Sequence, residues 1–521
     1  MKKITTLLSK LSTTHLIYLL GIIAGLFTWQ VMAIRNDWIN VDSILYFDSA
    51  KAILEGNWQK AYQIYNWPFY SALIALLAKL TGTEVFTAAK ILNILFFGIT
   101  MLSLAKIVER ITPDKLTLIC FALLLLGSSY IAGSVLPMLL RDQGFWAFLS
   151  TAVLFLIKYL HHKKIRDALL WQSFITIATL FRIEGTAYLL ILPLVAILNE
   201  ENRRVALFDI LKLNILFLAF FICGILAAVF LNISTGTIGR LTEVNPMSLL
   251  SQITSTFSDR AKLMQDTLGE PLMHYSGLAL ATSLLMIVLV KQVTAIKFPA
   301  LLTYLIYYRG NQLRKPIFPR HINLTFLAVL VASTLTSLGT TFRVFVLSGR
   351  YVIPFVLFSL IIASAMLSHM IRRFKLIRWT QKLVLTIIVG VLVAQTIKNV
   401  WPKPPNYNYQ KVAIDYILFN KININDVAIF TGEANFYAKK DTSELHLPCQ
   451  DNQDSVMQWN CLSSYLEKTP PATQYILIPI TAHKKGESAF KFLNGKLLNY
   501  KIVQEFTNPR KDKKLVLLKK I

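Results

Sequence analysis

Long apolar runs alternate along this chain with short polar segments rich in lysine and arginine. Met1 to Thr14 carries Lys2, Lys3 and Lys10 ahead of an apolar run from His15 to Ile34. A helix of about 20 apolar residues crosses the hydrocarbon core of a bilayer. The run lacks the small-residue cleavage pattern of a removable leader, so it is predicted to be a retained first span with its N-terminus in the cytoplasm. Further runs of sufficient length fall at 85–107, 115–134, 143–160, 167–181, 185–198, 207–231, 275–296, 322–342, 351–369 and 383–400, which predicts about eleven spans. Two of them, 167–181 and 185–198, are short and meet at Phe181-Arg182-Ile183-Glu184-Gly185, where tilting or partial immersion is expected. Ser71 to Leu80 is too short to cross and reads as an interfacial or re-entrant helix.

Between the first two spans, 35–84 forms an acidic, aromatic outer loop. From Val41 to Leu54 polar and apolar positions recur at roughly helical spacing, which predicts a helix lying on the membrane surface and presenting Asp42. The pattern changes again after the last span. Pro402-Lys403-Pro404-Pro405 is a stiff linker. Beyond it the periodicity predicts a helix (Tyr409 to Asn420), strands (Asp426 to Thr431 and Gln474 to Ile480), a helix (Glu487 to Leu493) and strands near Lys501 to Phe506 and Lys514 to Leu518. The expected architecture is a polytopic α-helical membrane protein, 1–401, followed by an extracytoplasmic α/β domain, 402–521.

Composition agrees. Of 521 residues 55% are hydrophobic and 16% charged, and mean hydropathy is +0.52, which excludes a soluble globule. A formal net charge of +26 raises the question of nucleic acid, and its distribution answers it. The tail from Pro402 holds 17 Lys+Arg against 11 Asp+Glu, so most of the excess belongs to the membrane half. With eleven spans, the segments predicted inside (1–14, 106–115, 158–166, 199–212, 291–320, 371–382) hold 24 Lys+Arg in 89 residues, and those predicted outside (35–84, 135–142, 182–184, 232–274, 343–350) hold 11 in 112. This is the positive-inside distribution, and no nucleic-acid partner is expected.

That topology places Asp42, Asp142, Arg182, Glu184, Arg343, Arg350 and the tail on the outer side. A charge at the centre of a membrane helix costs roughly 2.5–3.5 kcal/mol, so charges in or beside spans persist where they pair, meet water or bind something. Cys120 and Cys223 lie in apolar runs as small core residues, whereas Cys449 and Cys461 share the tail, where an oxidising compartment would permit a disulfide. His161 and His162 precede Lys163-Lys164 and read as inner loop residues. No Cys/His cluster has metal-ligand spacing, and no glycine-rich nucleotide motif is present.

Four segments carry candidate chemistry: Asp42-Ser43-Ile44-Leu45-Tyr46, followed by Asp48, Gly56-Asn57-Trp58 and Trp67-Pro68-Phe69-Tyr70; Leu139-Leu140-Arg141-Asp142-Gln143, 100 residues after Asp42; Arg182-Ile183-Glu184-Gly185; and Arg350-Tyr351-Val352-Ile353-Pro354. Together they resemble the GT-C superfamily of integral-membrane glycosyltransferases that use polyprenyl-phosphate sugars, which includes protein O-mannosyltransferases and lipid A aminoarabinose transferases. The resemblance runs through most of the membrane half, and the soluble tail fits the same architecture. It implies that Asp42, in the first outer loop, and Asp142, in the second, are catalytic. The Arg-x-Glu-Gly and Arg-Tyr-x-x-Pro segments add Arg182, Glu184, Arg350 and Tyr351 as substrate-binding candidates. Where aminoarabinose transferases carry Lys-Pro before the short helix, this chain has Trp67-Pro68, a departure that bears on the donor phosphate and on the sugar.

Transfer from a lipid phosphate to a hydroxyl needs a base near the acceptor, cations on the departing phosphate and an apolar groove for the isoprenoid. Asp42 is the expected base. Arg141, Arg182, Arg343 and Arg350 are the expected phosphate contacts, since guanidinium binds phosphate in bidentate fashion. Tyr46 and Asp48 join them as substrate-binding candidates, although a solvated carboxylate or one paired with Lys51 is the simpler reading of Asp48. Competing structural readings are a helix cap for Asp42, an Arg141 ion pair for Asp142 and interfacial anchoring for Arg182 and Arg350. Oligosaccharyltransferase relatives share a divalent ion between acidic loops, but the more similar mannosyltransferases do not require one, so no metal or other cofactor is expected.

The expected partners are thus a polyprenyl-phosphate sugar donor, a lipid, glycan or protein acceptor, and membrane lipids. The expected location is an inner or plasma membrane. Two rivals share these features: a lipid-linked glycan flippase or other transporter, and a non-catalytic envelope assembly protein. Transporters more often show inverted repeats and mid-depth charges. Here the charges sit at the outer rim.

Overall fold

Uncharged over its 21 residues, Thr13–Ala33 forms one unbroken helix, long enough at 1.5 Å per residue to cross a bilayer. The computed structural model describes residues 11–230, 246–270, 272–309, 318–374, 379–440, 473–481, 499–511 and 513–521. Among them, seven helical stretches are long and apolar enough to cross a membrane: Thr13–Ala33, Val85–Ile111, Asp142–His162, Leu272–Ile296, Arg320–Val344, Gly349–Arg372 and Trp379–Val400. An eighth is present if Lys115–Leu126 and Ile131–Met138, bent by 44° at their junction, count as one span. The chain is a polytopic helical membrane protein with a small C-terminal sheet.

Two compact units divide the chain. The first comprises Met1–Trp29, Ser49–Leu136 and Leu140–Val400; the second comprises Gln30–Asp48, Pro137–Leu139 and Trp401–Ile521. In the first unit, Asp142–His162 and Ile165–Phe181 form a tight helical hairpin that turns at Lys163, a left-handed residue with φ 56°. The hairpin closes because Gly144 leaves room for the Phe181 ring, which occupies the space a Cβ would need. Phe181 stacks on Phe148 (5.6 Å) and takes the edges of Phe69 (5.0 Å) and Phe96 (5.2 Å). Phe69 begins the 13-residue helix Phe69–Thr81, about 20 Å long by helical rise and so short of a full crossing.

Opposite ends of this unit carry different chemistry. At one end Lys163 donates to both Glu200 and Asp209, and Asp209 also accepts from Tyr159 (2.7 Å). Arg372, in the last turn of Ile353–Arg372, pairs there with Asp114. The candidate residues collect at the other end, where Asp142–His162 begins, Ile165–Phe181 stops and Ile353–Arg372 begins.

Within the second unit, β1 (Val427–Ile429), β2 (Tyr475–Thr481), β3 (Tyr500–Thr507) and β4 (Lys513–Lys520) form one sheet in the order β1-β2-β4-β3. β1 runs parallel to β2, and the other neighbours are antiparallel. Leu477 accepts from Phe430, so residue 479, two positions on, also faces the β1 side. Pro479, which has no N–H, therefore falls just beyond the end of β1, where no ladder bond is lost. Helix Tyr409–Phe419 covers one face, burying Ala413, Ile414 and Ile417 against Val427, Leu477, Leu515 and Leu517. The four predicted strands and the 409–420 helix are present. The expected helix at 487–493 and the pair Cys449 and Cys461 lie outside the described residues. Helix Gly432–Tyr437, in a stretch expected to be loop, is capped by Thr431, whose hydroxyl accepts from the Ala434 amide.

Candidate active site

The site in the first unit is built on helix termini. Ahead of Asp142 the chain abandons regular helix in a π turn (Ile131–Val135) and a 3-10 turn (Leu136–Met138), and Leu139 is left-handed (φ 50°). Such a break exposes carbonyls that the helix no longer satisfies. The Gln143 side-chain amide donates to two of them, Val135 and Leu136, each at 3.3 Å. That latch sets the direction in which Asp142 starts its helix, where the helix dipole favours a carboxylate.

Arg182 ends the partner helix in extended conformation, and the turn that follows, closed by the Gly185 amide donating to the Arg182 carbonyl (2.9 Å), sets Glu184 within reach of its guanidinium. Arg182 binds Glu184 through Nε (3.3 Å) and Nη2 (3.0 Å) and binds Asp142 through Nη1. Its guanidinium also lies 4.2 Å from the Tyr351 ring. Asp142 and Arg182 are 1% and 4% exposed and Glu184 is partly buried, so this is a largely buried ion triad. Burial alone would raise the Glu184 carboxyl, but the Arg182 guanidinium prevails, with help from Arg141, and holds it down at about 2. Arg141 itself is buried against the Tyr65 ring (5.5 Å).

A small cavity with room for about one water adjoins the triad, lined by Phe145, Arg182, Glu184, Tyr188, Thr336, Arg350, Tyr351 and Pro354. The structure thus gathers Arg141, Asp142, Arg182, Glu184, Arg350 and Tyr351 at one end of the unit. Arg343, half-buried in the last turn of Arg320–Val344, does not line the cavity.

Two residues at this end were not legible as site residues. Tyr130 packs its hydroxyl against Gly349 and lies within electrostatic reach of Asp142 and Arg350. The Lys297 ammonium sits 5.8 Å from the Tyr130 ring. Lys297 was expected inside, in the loop 291–320. Instead, that segment contains a second apolar helix, Phe298–Arg309, running beside Ile353–Arg372: Tyr304 donates to the Ser359 carbonyl (2.7 Å) and Tyr307 faces His369 (5.8 Å). Lys297, at the head of that helix, therefore lies at the Arg350 end. Only the contact with Tyr130 reveals it, since a lone lysine in a basic loop carries no sequence signal.

Asp42, Tyr46 and Asp48 belong to the second unit, at the start of helix Val41–Leu54. Asn40 caps that helix, its side-chain oxygen accepting from the Asp42 amide (3.0 Å). The expected surface helix with one wet face is not what forms: Ser43, Ile44, Tyr46, Phe47, Ser49 and Ala50 are all buried, while Asp42 and Asp48 are half-buried. Ser43 donates to the Met138 carbonyl, also in this unit. Among the described residues no group of three or more His, Cys, Asp or Glu side chains is arranged to hold a metal ion.

Residues 66–230 match the profile of the dolichyl-phosphate-mannose-protein mannosyltransferase family. A search of curated proteins gave no match. The matched stretch contains Trp67-Pro68, Arg141, Asp142, Arg182 and Glu184; Asp42 precedes it, and Arg343, Arg350 and Tyr351 follow it. Through that stretch, which carries the buried ion triad, the chain is related to the GT-C superfamily of integral-membrane glycosyltransferases, of which those mannosyltransferases are one family.

Proposed function

We propose that this protein transfers a sugar, mannose or an arabinose-type pentose, from a polyprenyl phosphate to an acceptor hydroxyl on the outer side of an inner or plasma membrane, with inversion. In this reading the N-terminus is cytoplasmic and the tail is extracytoplasmic, with Lys297 on the outer side beside Arg350 and not in an inner loop. The observation that carries it is the family match over the stretch holding the Asp142–Arg182–Glu184 triad.

In the reaction, the bond between the anomeric carbon and the phosphate oxygen breaks as the acceptor oxygen bonds to that carbon. The acceptor proton passes to the Asp42 carboxylate, and polyprenyl phosphate departs with the bonding pair. One displacement of this kind inverts the anomeric centre, and a phosphate leaving group needs no acid. Negative charge grows on the phosphate as the bond breaks, so cations aimed at it stabilise the transition state more than the bound donor. Arg350, with Arg141 and Lys297 at the same end, supplies that charge; Arg343 is a further candidate. Arg182 is already engaged by two carboxylates, so Asp142 acts through it as a positioning residue, fixing the floor of the cavity that Arg350 and Tyr351 complete. Asp42 as base rests on its place in the first outer loop, the position of the catalytic aspartate in the proteins this chain resembles.

The test is release of polyprenyl phosphate from polyprenyl-phosphate mannose and from its aminoarabinose counterpart by purified protein, with envelope membranes supplying acceptors. One donor is expected to be consumed, with a product of inverted anomeric configuration. Arg350→Ala is expected to lower the rate about 10²- to 10³-fold, as for loss of one donor to developing charge. Consumption of neither donor contradicts the proposal.

A further inference from the structure

Asn36 and Asp37 are two consecutive non-glycine residues with left-handed backbones, φ 52° and 54°, five residues before Asp42. Such a pair costs of order 1–3 kcal/mol per residue and persists where surrounding groups determine it. Here those groups come from the C-terminal part of the second unit. Asn408, 1% exposed, donates through Nδ2 to the Asn36 carbonyl at 2.8 Å. The Tyr437 hydroxyl donates to the Asp37 carbonyl at 2.8 Å and accepts from the same Asn408 amide at 2.9 Å. Lys411 reaches the Asn36 side-chain oxygen (3.3 Å) and the Asp37 carboxylate (3.2 Å).

Packing continues on both sides of this clamp. Trp38 sets its edge against Tyr407 (6.4 Å), Phe47 lies on Phe436 (5.5 Å), and Ile44 approaches Gly432 to within van der Waals contact of a Cβ placed there. The two carbonyls are thus held by side chains some 370–400 positions later in the chain and not by local structure.

We propose that Tyr437 and Asn408 are positioning residues for Asp42: the C-terminal domain fixes the left-handed turn that aims the Asp42 helix, so the tail sets the geometry of the base and not only that of an acceptor. The activity half of this inference rests on the reading of Asp42 given above; the structural half does not. The clamp is a two-carbonyl latch with one shared hydroxyl. Removing a single oxygen atom releases the Asp37 carbonyl and leaves the Phe436 and Tyr437 ring packing in place.

The experiment uses the full-length protein in detergent or nanodiscs and compares wild type, Tyr437→Phe and Asn408→Ala by hydrogen exchange and by donor turnover. Both variants are expected to speed amide exchange at 36–48 by about tenfold or more, leaving exchange in Asp142–His162 unchanged. Turnover is expected to fall about 10- to 100-fold with KM for the polyprenyl-phosphate donor nearly unchanged, as for a displaced catalytic group. Unchanged exchange at 36–48 in both variants overturns the inference. So does faster exchange with wild-type turnover, or a loss that appears only in the acceptor KM. If wild-type protein turns over no donor while Tyr437→Phe still loosens 36–48, the glycosyltransferase reading fails and the clamp stands.

Discussion

Arg182 is where one side chain does most in the membrane half. It neutralises the buried Asp142 carboxylate and the partly buried Glu184 carboxylate, and it faces the Tyr351 ring. Removing one partner of a buried ion group leaves the others uncompensated, at a cost of about 3–5 kcal/mol. Arg182→Met is therefore expected to unfold at markedly lower temperature than wild type, whereas Arg203→Met, at an exposed position, is not. Equal midpoints for Arg182→Met and wild type would contradict the triad.

Glu184 adds a pH dependence with a definite sign. Its carboxyl is depressed from 4.5 to about 2, so its contribution is fully present above pH 4.5 and is lost as pH falls towards 2. A shift of that size corresponds to about 3 kcal/mol. Wild type and Glu184→Gln are expected to differ in unfolding temperature by a constant amount between pH 5 and 8 and to converge below 4.5. A difference that changes mainly between pH 6 and 8 would point to another group. Arg182 and Glu184 were legible only as substrate-binding candidates of an Arg-x-Glu-Gly segment; their pairing with each other, and with Asp142, comes from the structure. Tyr130 and Lys297 gave no such sign, since their roles come from contacts with Gly349 and with each other across separate helices.

At the scale of elements, the membrane helices were legible where apolar runs are long and blurred where tertiary contacts decide. The run 115–134 reads as one span, yet it breaks after Leu126. The Asn399 amide, arriving from Trp379–Val400, donates to the Leu126 carbonyl (2.9 Å) that the break leaves open. No local pattern announces a cap delivered from 273 positions away. Helix Phe298–Arg309 was hidden for a different reason: its basic neighbours made the whole stretch look like an inner loop.

The hairpin behind Asp142 offers an element-scale test. A methyl group at Gly144 would meet the Phe181 ring, which is itself fixed by Phe69, Phe96 and Phe148. Overpacking of this kind costs about 1–3 kcal/mol. Gly144→Ala is expected to lower both thermal stability and donor turnover, and Gly144→Ala combined with Phe181→Leu to recover stability. Failure of the second substitution to recover any stability would remove the steric explanation.

Across the whole molecule, the charge distribution sorts loops into two classes, and the proposed function needs the second unit on the outer side. Phe419 is 87% exposed in that unit, and Arg203 is exposed at the start of Arg203–Phe230, in a segment predicted inside. With the four native cysteines replaced, Phe419→Cys is expected to react with a membrane-impermeant thiol reagent in intact cells, and Arg203→Cys only after permeabilisation. The reverse pattern would invert the topology and place the tail on the inner side. Composition alone reached the fold class because a bilayer imposes long apolar helices. It could not assign the 30–48 loop to the C-terminal unit, because that grouping depends on carbonyl contacts from Asn408 and Tyr437, which leave no periodic trace.

Glycosyl transfer initiated by Asp42 is tested most directly by incubating purified wild type and Asp42→Asn with radiolabelled polyprenyl-phosphate mannose and envelope membranes, then counting label in the acceptor fraction. The account predicts transfer by wild type and a loss of about 10²- to 10⁴-fold in the variant, the usual worth of a general base. Undiminished transfer by Asp42→Asn, or movement of the labelled lipid across liposomes without any transfer by wild type, would contradict it.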